Sequence, residues 1–200
     1  KSGAPLVIGA RIAEVQKVFA PRFGMDDLPT DGRQFDVLVE DGATLPLGNL
    51  TIRVMHTPGH TPACLTYLIG DAAFVGDTLF MPDGGSARAD FPGGDAGTLY
   101  DSIQKVLALP DATRLFMCHD YGPNGRDIEW ETSVAAEKEH NIHVGAGKSR
   151  EEFIKFRTER DAQLAVPKLI IPSLQVNMRA GEIPTDPSGR PMLKVPVNGL

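Results

Sequence analysis

The chain has 200 residues, 42% of them hydrophobic, with a formal net charge of −6 and a pI near 5.3. That length suits one globular domain, or one domain with a small extension. The negative balance argues against a nucleic-acid-binding face, and no apolar run reaches the ~18 residues needed to span a membrane.

Lys1 to Pro5 lead directly into the apolar run Leu6-Val7-Ile8, with no initiating methionine and no signal-peptide pattern. We expect such a start of the middle of a domain, with room for a targeting segment upstream. Ile12, Val15, Val18 and Phe19 recur at helical spacing until Pro21. Residues 22–32 read as loop, Phe35 to Val39 as a strand and Asp41-Gly42 as a turn. In the next strand Ile52, Val54 and His56 alternate with Thr51, Arg53 and Met55. Leu65 to Ile69 and Ala72 to Val75 flank Gly70-Asp71, a two-residue hairpin signal, and the second arm ends at Gly76-Asp77.

Residues 81–97 are rich in Gly, Asp and Pro and read as a loop over a site. Thr98 with Asp101 resembles a capping box, and Leu99, Ile103, Val106 and Leu107 form the apolar stripe of a helix closed by Pro110. Leu115 to Cys118 reads as a strand ending at His119. Glu131 to His140 reads as a helix, and Ser149 with Glu152 opens another. From Pro167 onward prolines alternate with short apolar runs, so 167–200 is expected to be an extension packed on a single domain, 1–200. Closely joined neighbouring strands with interspersed helices predict an α/β sandwich with mixed sheets rather than a doubly wound parallel fold.

Chemistry-bearing residues gather at strand ends. His60 stands in the turn Thr57-Pro58-Gly59-His60-Thr61-Pro62, where two prolines restrict the backbone and Gly59 frees it. Asp77 ends one strand and His119 another. Two histidines and a carboxylate converging on one rim suit iron and oxygen chemistry, whereas further ligands around paired ions suit zinc hydrolysis. His56 is expected to be structural. His140 and His143 read as surface residues. Arg88 and Asp90 lie in the glycine-rich loop and Arg179 in the extension, and guanidinium groups there could clamp a substrate carboxylate. Tyr121 offers a hydroxyl two residues beyond His119. Cys64 and Cys118 read as buried free thiols of a reducing compartment, with Cys118 on the strand face opposite His119.

His-Thr-Pro-Gly-His-Thr-Pro from His56, Val-Gly-Asp-Thr-Leu-Phe from Val75, Arg-Ala-Asp-Phe-Pro-Gly-Gly-Asp from Arg88 and Cys-His-Asp-Tyr from Cys118 follow one another in order. Together with Asn177-Met178-Arg179-Ala180-Gly181, they resemble the persulfide dioxygenase branch of the metallo-β-lactamase superfamily. The resemblance implies an αββα sandwich and one Fe(II) per chain, with zinc as the alternative metal, bound by His60 and Asp77. It puts His119 at a second-metal position of the hydrolytic relatives, near the iron but not on it in the dioxygenases. Tyr121, Arg88 and Arg179 are implied to hold glutathione persulfide, with His119 and Tyr121 as catalytic groups. The implied reaction takes glutathione persulfide, O2 and water to sulfite and glutathione, in a cytoplasmic enzyme that is a homodimer in this branch.

One departure is large. The family's upstream His-x-His-x-Asp-His motif has no counterpart here, since the first histidine of the chain is His56. The expectation is therefore a chain lacking the N-terminal strands and that motif. Two alternatives stay open beside the dioxygenase: a thioester hydrolase of the glyoxalase II type, and a truncated, non-catalytic fragment.

Overall fold

The structure is a computed structural model that describes residues 3–197. They divide into two compact units, residues 40–163 and a second unit combining 3–39 with 164–197.

The larger unit is built on a six-stranded mixed sheet: β3 (Thr44–Leu47), β4 (Leu50–His56), β5 (Leu65–Ile69), β6 (Ala72–Phe74), β7 (Arg114–Phe116) and β8 (Glu131–Ser133), side by side in that order. All neighbours are antiparallel except β6 and β7, which run parallel because helix α2 (Ala96–Leu107) intervenes between them. The register lines up Arg53, Leu68, Ala73 and Leu115 in one row. Strand alternation puts that row on a single face. Leu68, Ala73 and Leu115 meet there Leu99, Ile103, Val106 and Leu107 of α2, Val134 of α3 (Val134–His140) and Phe153 of α4 (Arg150–Asp161), the core of this unit. The smaller unit pairs β1 (Val7–Gly9) in parallel with β2 (Val37–Val39) across helix α1 (Ile12–Phe19). Phe19, Phe23, Met25 and Leu28 pack there with Met178, and with Ile171 and Leu174 of α5 (Ile170–Asn177). Gln16, fully buried, accepts from Gly32 N and donates to Met178 O, each at 2.9 Å, tying the two ends of this unit together.

Helices, mixed sheet and hairpins agree with the expected α/β fold. Several boundaries differ for identifiable reasons. β3 was not foreseen: Pro46 and Gly48 interrupt the apolar pattern, yet proline is tolerated there because β3 is an edge strand. The cap of α2 is Asp95, whose carboxylate accepts from Thr98 N at 2.7 Å, while Asp101 binds Arg150 instead. Residues 131–133 are not the start of a helix but β8, and Ser133 caps α3 behind it. The capping box of Ser149 with Glu152 is present at α4. The proline-rich extension contains α5, with Pro172 in its first turn, where a missing N–H is no loss.

Candidate metal centre

β4 ends at His56, and His56 is structural as expected, its Nε2 lying 2.9 Å from Pro62 O. The turn that follows is fixed from two sides. Below it, Thr57, Thr66 and Thr78 are buried, and their hydroxyls form a chain with contacts of 3.1 and 3.3 Å. Beside it, Ser102 of α2 donates to Pro58 O at 2.6 Å, and Asp95 N donates to Gly59 O at 2.9 Å. Gly59 makes that approach feasible: its φ is 133°, and a Cβ there would stand 2.3 Å from Leu99 Cα.

The turn presents His60, whose Nδ1 lies 2.8 Å from Arg88 O. A carbonyl only accepts, so Nδ1 carries the hydrogen, and the other ring nitrogen, Nε2, faces Asp77. The Nε2 to Asp77 Oδ2 distance is 3.8 Å. Asp77 follows Gly76 just past the end of β6. Its other oxygen, Oδ1, lies 3.4 Å from His119 Nε2 and accepts from Cys118 Sγ at 3.0 Å. The ligand atoms of Asp77, Cys118 and His119 all lie within 4.8 Å of one another. One carboxylate thus faces two imidazoles through different oxygens, at separations too long for hydrogen bonds. The donor set of imidazole nitrogen, carboxylate oxygen and thiol is that of a divalent transition-metal site with open positions. His60, Asp77 and His119 could hold the ion.

Cys118 overturns its expected direction. β7 ends at Phe116, and Met117 N makes a further bond to Trp130 O. Beyond it the chain is no longer a strand, so Cys118 and His119 are released from alternation and both reach Asp77. Burial, and then the neighbouring Asp77, push the Cys118 thiol up to about 12. Tyr121 is well exposed, its ring 6.3 Å from that of His119 and 5.8 Å from that of Phe80. Partial desolvation of the hydroxyl, then the negative Asp77, raise its phenol above the usual range, so it remains a donor at neutral pH.

Arg88 sits beside the centre but is engaged: Nε and Nη2 reach the two oxygens of Asp90 at 2.6 and 2.7 Å, and the guanidinium lies 4.8 Å from the centre of the Phe91 ring. Its carbonyl rather than its side chain touches His60. Arg179 belongs to the smaller unit, where Nη2 donates to Asp27 Oδ2 at 2.7 Å. His140 is exposed, as expected. His143, expected at the surface, is buried: its Nδ1 accepts from Ser86 N at 2.8 Å, and Gly85 leaves the space its ring fills. Burial, then the positive Arg157, Arg160 and Lys148, depress its pKa to about 3.

Sequence reasoning missed the supports of this centre. Asp120 accepts from Arg126 and from Glu129 N, and Arg126 in turn binds Asp83, which joins the loop after His119 to the loop after β6. The Arg126 guanidinium holds the Asp120 carboxyl down at about 2. On the other side Asp161 of α4 accepts from Ala89 N at 2.8 Å, one residue from the carbonyl that orients His60, and pairs with buried Arg157 at 2.6 Å. The Asp of Cys-His-Asp-Tyr with Arg126 six residues on was a readable signal for the first of these; for Asp161 no local signal exists.

The profile of the metallo-beta-lactamase superfamily matches residues 7–119. A probable metallo-hydrolase of Burkholderia pseudomallei is 52% identical over 99% of this chain and 71% of its own length. The mitochondrial persulfide dioxygenase ETHE1 of Homo sapiens is 34% identical over 75% of this chain and 56% of its own. Among solved structures, ETHE1 from Myxococcus xanthus superposes with a TM-score of 0.66 and 41% identity, covering 74% of this chain and 62% of that one. The chain spans less than half, 46%, of the length of other bacterial relatives that match all of it. No helix among the described residues is long and apolar enough to cross a membrane. The chain belongs to the metallo-β-lactamase superfamily.

Proposed function

We propose that the protein is a persulfide dioxygenase that converts glutathione persulfide, O2 and water to glutathione and sulfite, with one Fe(II) per chain bound by His60 and Asp77. The observation that carries this reading is the 41% identity to the Myxococcus ETHE1 structure over 74% of the chain. Iron bound there supplies a Lewis acid and a template on which persulfide and O2 can meet. The protein's share is positioning. Arg88 O holds the His60 ring so that Nε2 faces Asp77. Tyr121, kept protonated, donates a hydrogen bond to the persulfide sulfur, with the Phe80 ring edge-on beside it. Arg88 is the proposed anchor for a glutathione carboxylate, exchanging its present aspartate partner for the substrate. His119, whose Nε2 lies 3.4 Å from Asp77 Oδ1, would orient the substrate beside an ion held by His60 and Asp77. The same proposal makes the enzyme cytoplasmic and a homodimer, and light scattering of the purified protein tests the dimer.

Oxygen consumption by the iron-loaded full-length protein with glutathione persulfide tests the reaction. Uptake well above the protein-free rate is expected, and none above it refutes the reading. A thioester hydrolase of the glyoxalase II type is the second reading, favoured by one observation: His119 Nε2 stands 3.4 Å from Asp77 Oδ1, a spacing compatible with a second ion. Two metals per chain, often zinc, and release of thiol from a glutathione thioester would support it over the first.

A further inference from the structure

We propose that His143 and Arg157 are positioning residues for His60: with Asp161 they clamp residues 86–89 so that the Arg88 carbonyl meets His60 Nδ1. Three backbone atoms of this short segment are held by side chains from other parts of the chain. Ser86 N donates to His143 Nδ1 at 2.8 Å, Arg157 Nη1 donates to Ser86 O at 3.3 Å, and Ala89 N donates to Asp161 Oδ2 at 2.8 Å. The one carbonyl between the last two grips that turns to the centre is that of Arg88, 2.8 Å from His60 Nδ1. Ser86 and Ala89 are buried, and so are His143, Arg157 and Asp161, so water competes with none of these bonds.

Each grip is directional. A backbone N–H only donates, so His143 Nδ1 is the bare nitrogen of a neutral ring, and Ser86 Oγ lies 3.0 Å from the same atom. The ring is itself fixed: Asn141 Oδ1 accepts from His143 N at 2.8 Å, the Phe156 ring stands 4.6 Å away, and a Cβ on Gly85 would fall 2.2 Å from Nδ1. Arg157 and Asp161 are four residues apart on α4, so one helix face grips the segment at both ends. The guanidinium fork spans Ser86 O and Asp161 Oδ1, the latter at 2.6 Å. A buried ion pair gains little net stability over apolar packing, and Arg157 Nε has no partner, so what the pair supplies is geometry. The clamp also lets the Arg88 guanidinium change partners while its carbonyl stays on His60, a consequence that rests on the anchoring role proposed above.

Two readouts test the clamp. Long-range proton–nitrogen NMR of the metal-free full-length protein shows which nitrogen of His60 carries the hydrogen, and competition with a chelator gives zinc affinity. The first needs neither metal nor substrate, so its failure is separate from failure of the dioxygenase reading. Hydrogen on Nδ1 alone is expected in the unaltered protein. His143→Leu, which keeps bulk and removes the acceptor, should populate both tautomers and weaken zinc binding about tenfold, the low end for loss of a group behind a ligand. His143→Asn, whose Oδ1 takes the place of Nδ1, should restore both readouts. Val134→Ala opens a cavity in the same core without removing a bond of the clamp, so it should lower stability and leave both unchanged. If His143→Leu does not fold, Arg157→Lys carries the test: it keeps a charge for Asp161 but not the fork to Ser86 O, and the same two shifts are expected. A single Nδ1–H tautomer with unchanged zinc affinity in the folded variant overturns the proposal. So does an equal loss in Val134→Ala, which would reduce the role of His143 to stability alone.

Discussion

Gly59→Ala isolates the contact that aims His60. An added Cβ would stand 2.3 Å from Leu99 Cα and 2.4 Å from Leu99 N, both backbone atoms of α2 that no rotamer change can move. Carbon atoms in contact rest near 3.5–4.0 Å, so turn and helix must part by more than about 1 Å. Overpacking of this kind costs about 1–3 kcal/mol, and a φ of 133°, which side chains rarely adopt, adds about 1–3 kcal/mol. Gly70→Ala supplies the comparison: its φ is +60° and nothing lies within 4 Å of the new Cβ. Only the left-handed backbone penalty of about 1–2 kcal/mol remains there. Urea unfolding should therefore find Gly59→Ala less stable than Gly70→Ala by about 2 kcal/mol or more, a large part of a domain's total of about 5–15 kcal/mol. Separation of the turn from α2 also weakens the bonds from Ser102 to Pro58 O and from Asp95 N to Gly59 O, so iron or zinc affinity should drop in this variant alone. Equal stability losses for the two variants, with metal affinity unchanged in both, would refute the argument.

Buried titratable groups set the pH dependence of stability. Burial pushes the Glu137 carboxyl up from 4.5 to about 8, aided by Asp83 and opposed by the bond from Asn141. Its contribution is complete below pH 4.5 and is lost as pH rises toward 8; that of His143, lowered from 6.5 to about 3, is complete above 6.5 and is lost as pH falls toward 3. The two slopes oppose each other between pH 4.5 and 6.5, leaving a net loss from 6.5 to 8 of up to about 2 kcal/mol at 1.4 kcal/mol per unit. Thermal or urea unfolding across that range should show it, and Glu137→Gln should abolish it; a slope that persists in the variant assigns it elsewhere. Asp161→Ala should destabilise by about 3–5 kcal/mol, because it strands Arg157 as a buried charge. Asp161→Asn, which keeps an acceptor for Ala89 N, should bind metal better than the Ala variant, and equal affinities would dismiss the positioning role of Asp161. Asp77→Ala should lower metal binding more than His119→Ala in a competition titration, since Asp77 faces both imidazoles.

The rim of the sheet was legible because its residues terminate apolar runs: His60 after β4, Asp77 after β6 and His119 after β7 are all read from punctuation. What escaped was decided by contacts distant in sequence. Residues 131–133 are polar and adjoin a helix, and only pairing with β7 makes them a strand. His143 and Glu137 lie in a polar stretch, and it is the distant Gly85 segment that covers them, leaving space for the His143 ring and accepting through its carbonyl from Asn141, which also binds Glu137. The direction of Cys118 turned on where β7 ends, a boundary two residues earlier than the apolar run suggested. Fold class survives such errors because the alternation that defines the core row is long and redundant. Site detail does not, because a single residue of slip reverses a side chain.

Paired measurement of O2 uptake and sulfite release by the iron-loaded full-length protein tests the central claim most directly. With glutathione persulfide as the sole substrate, one-to-one uptake and release is expected, both abolished by Asp77→Ala. Release of thiol from a glutathione thioester without any O2 uptake on the persulfide would contradict the account.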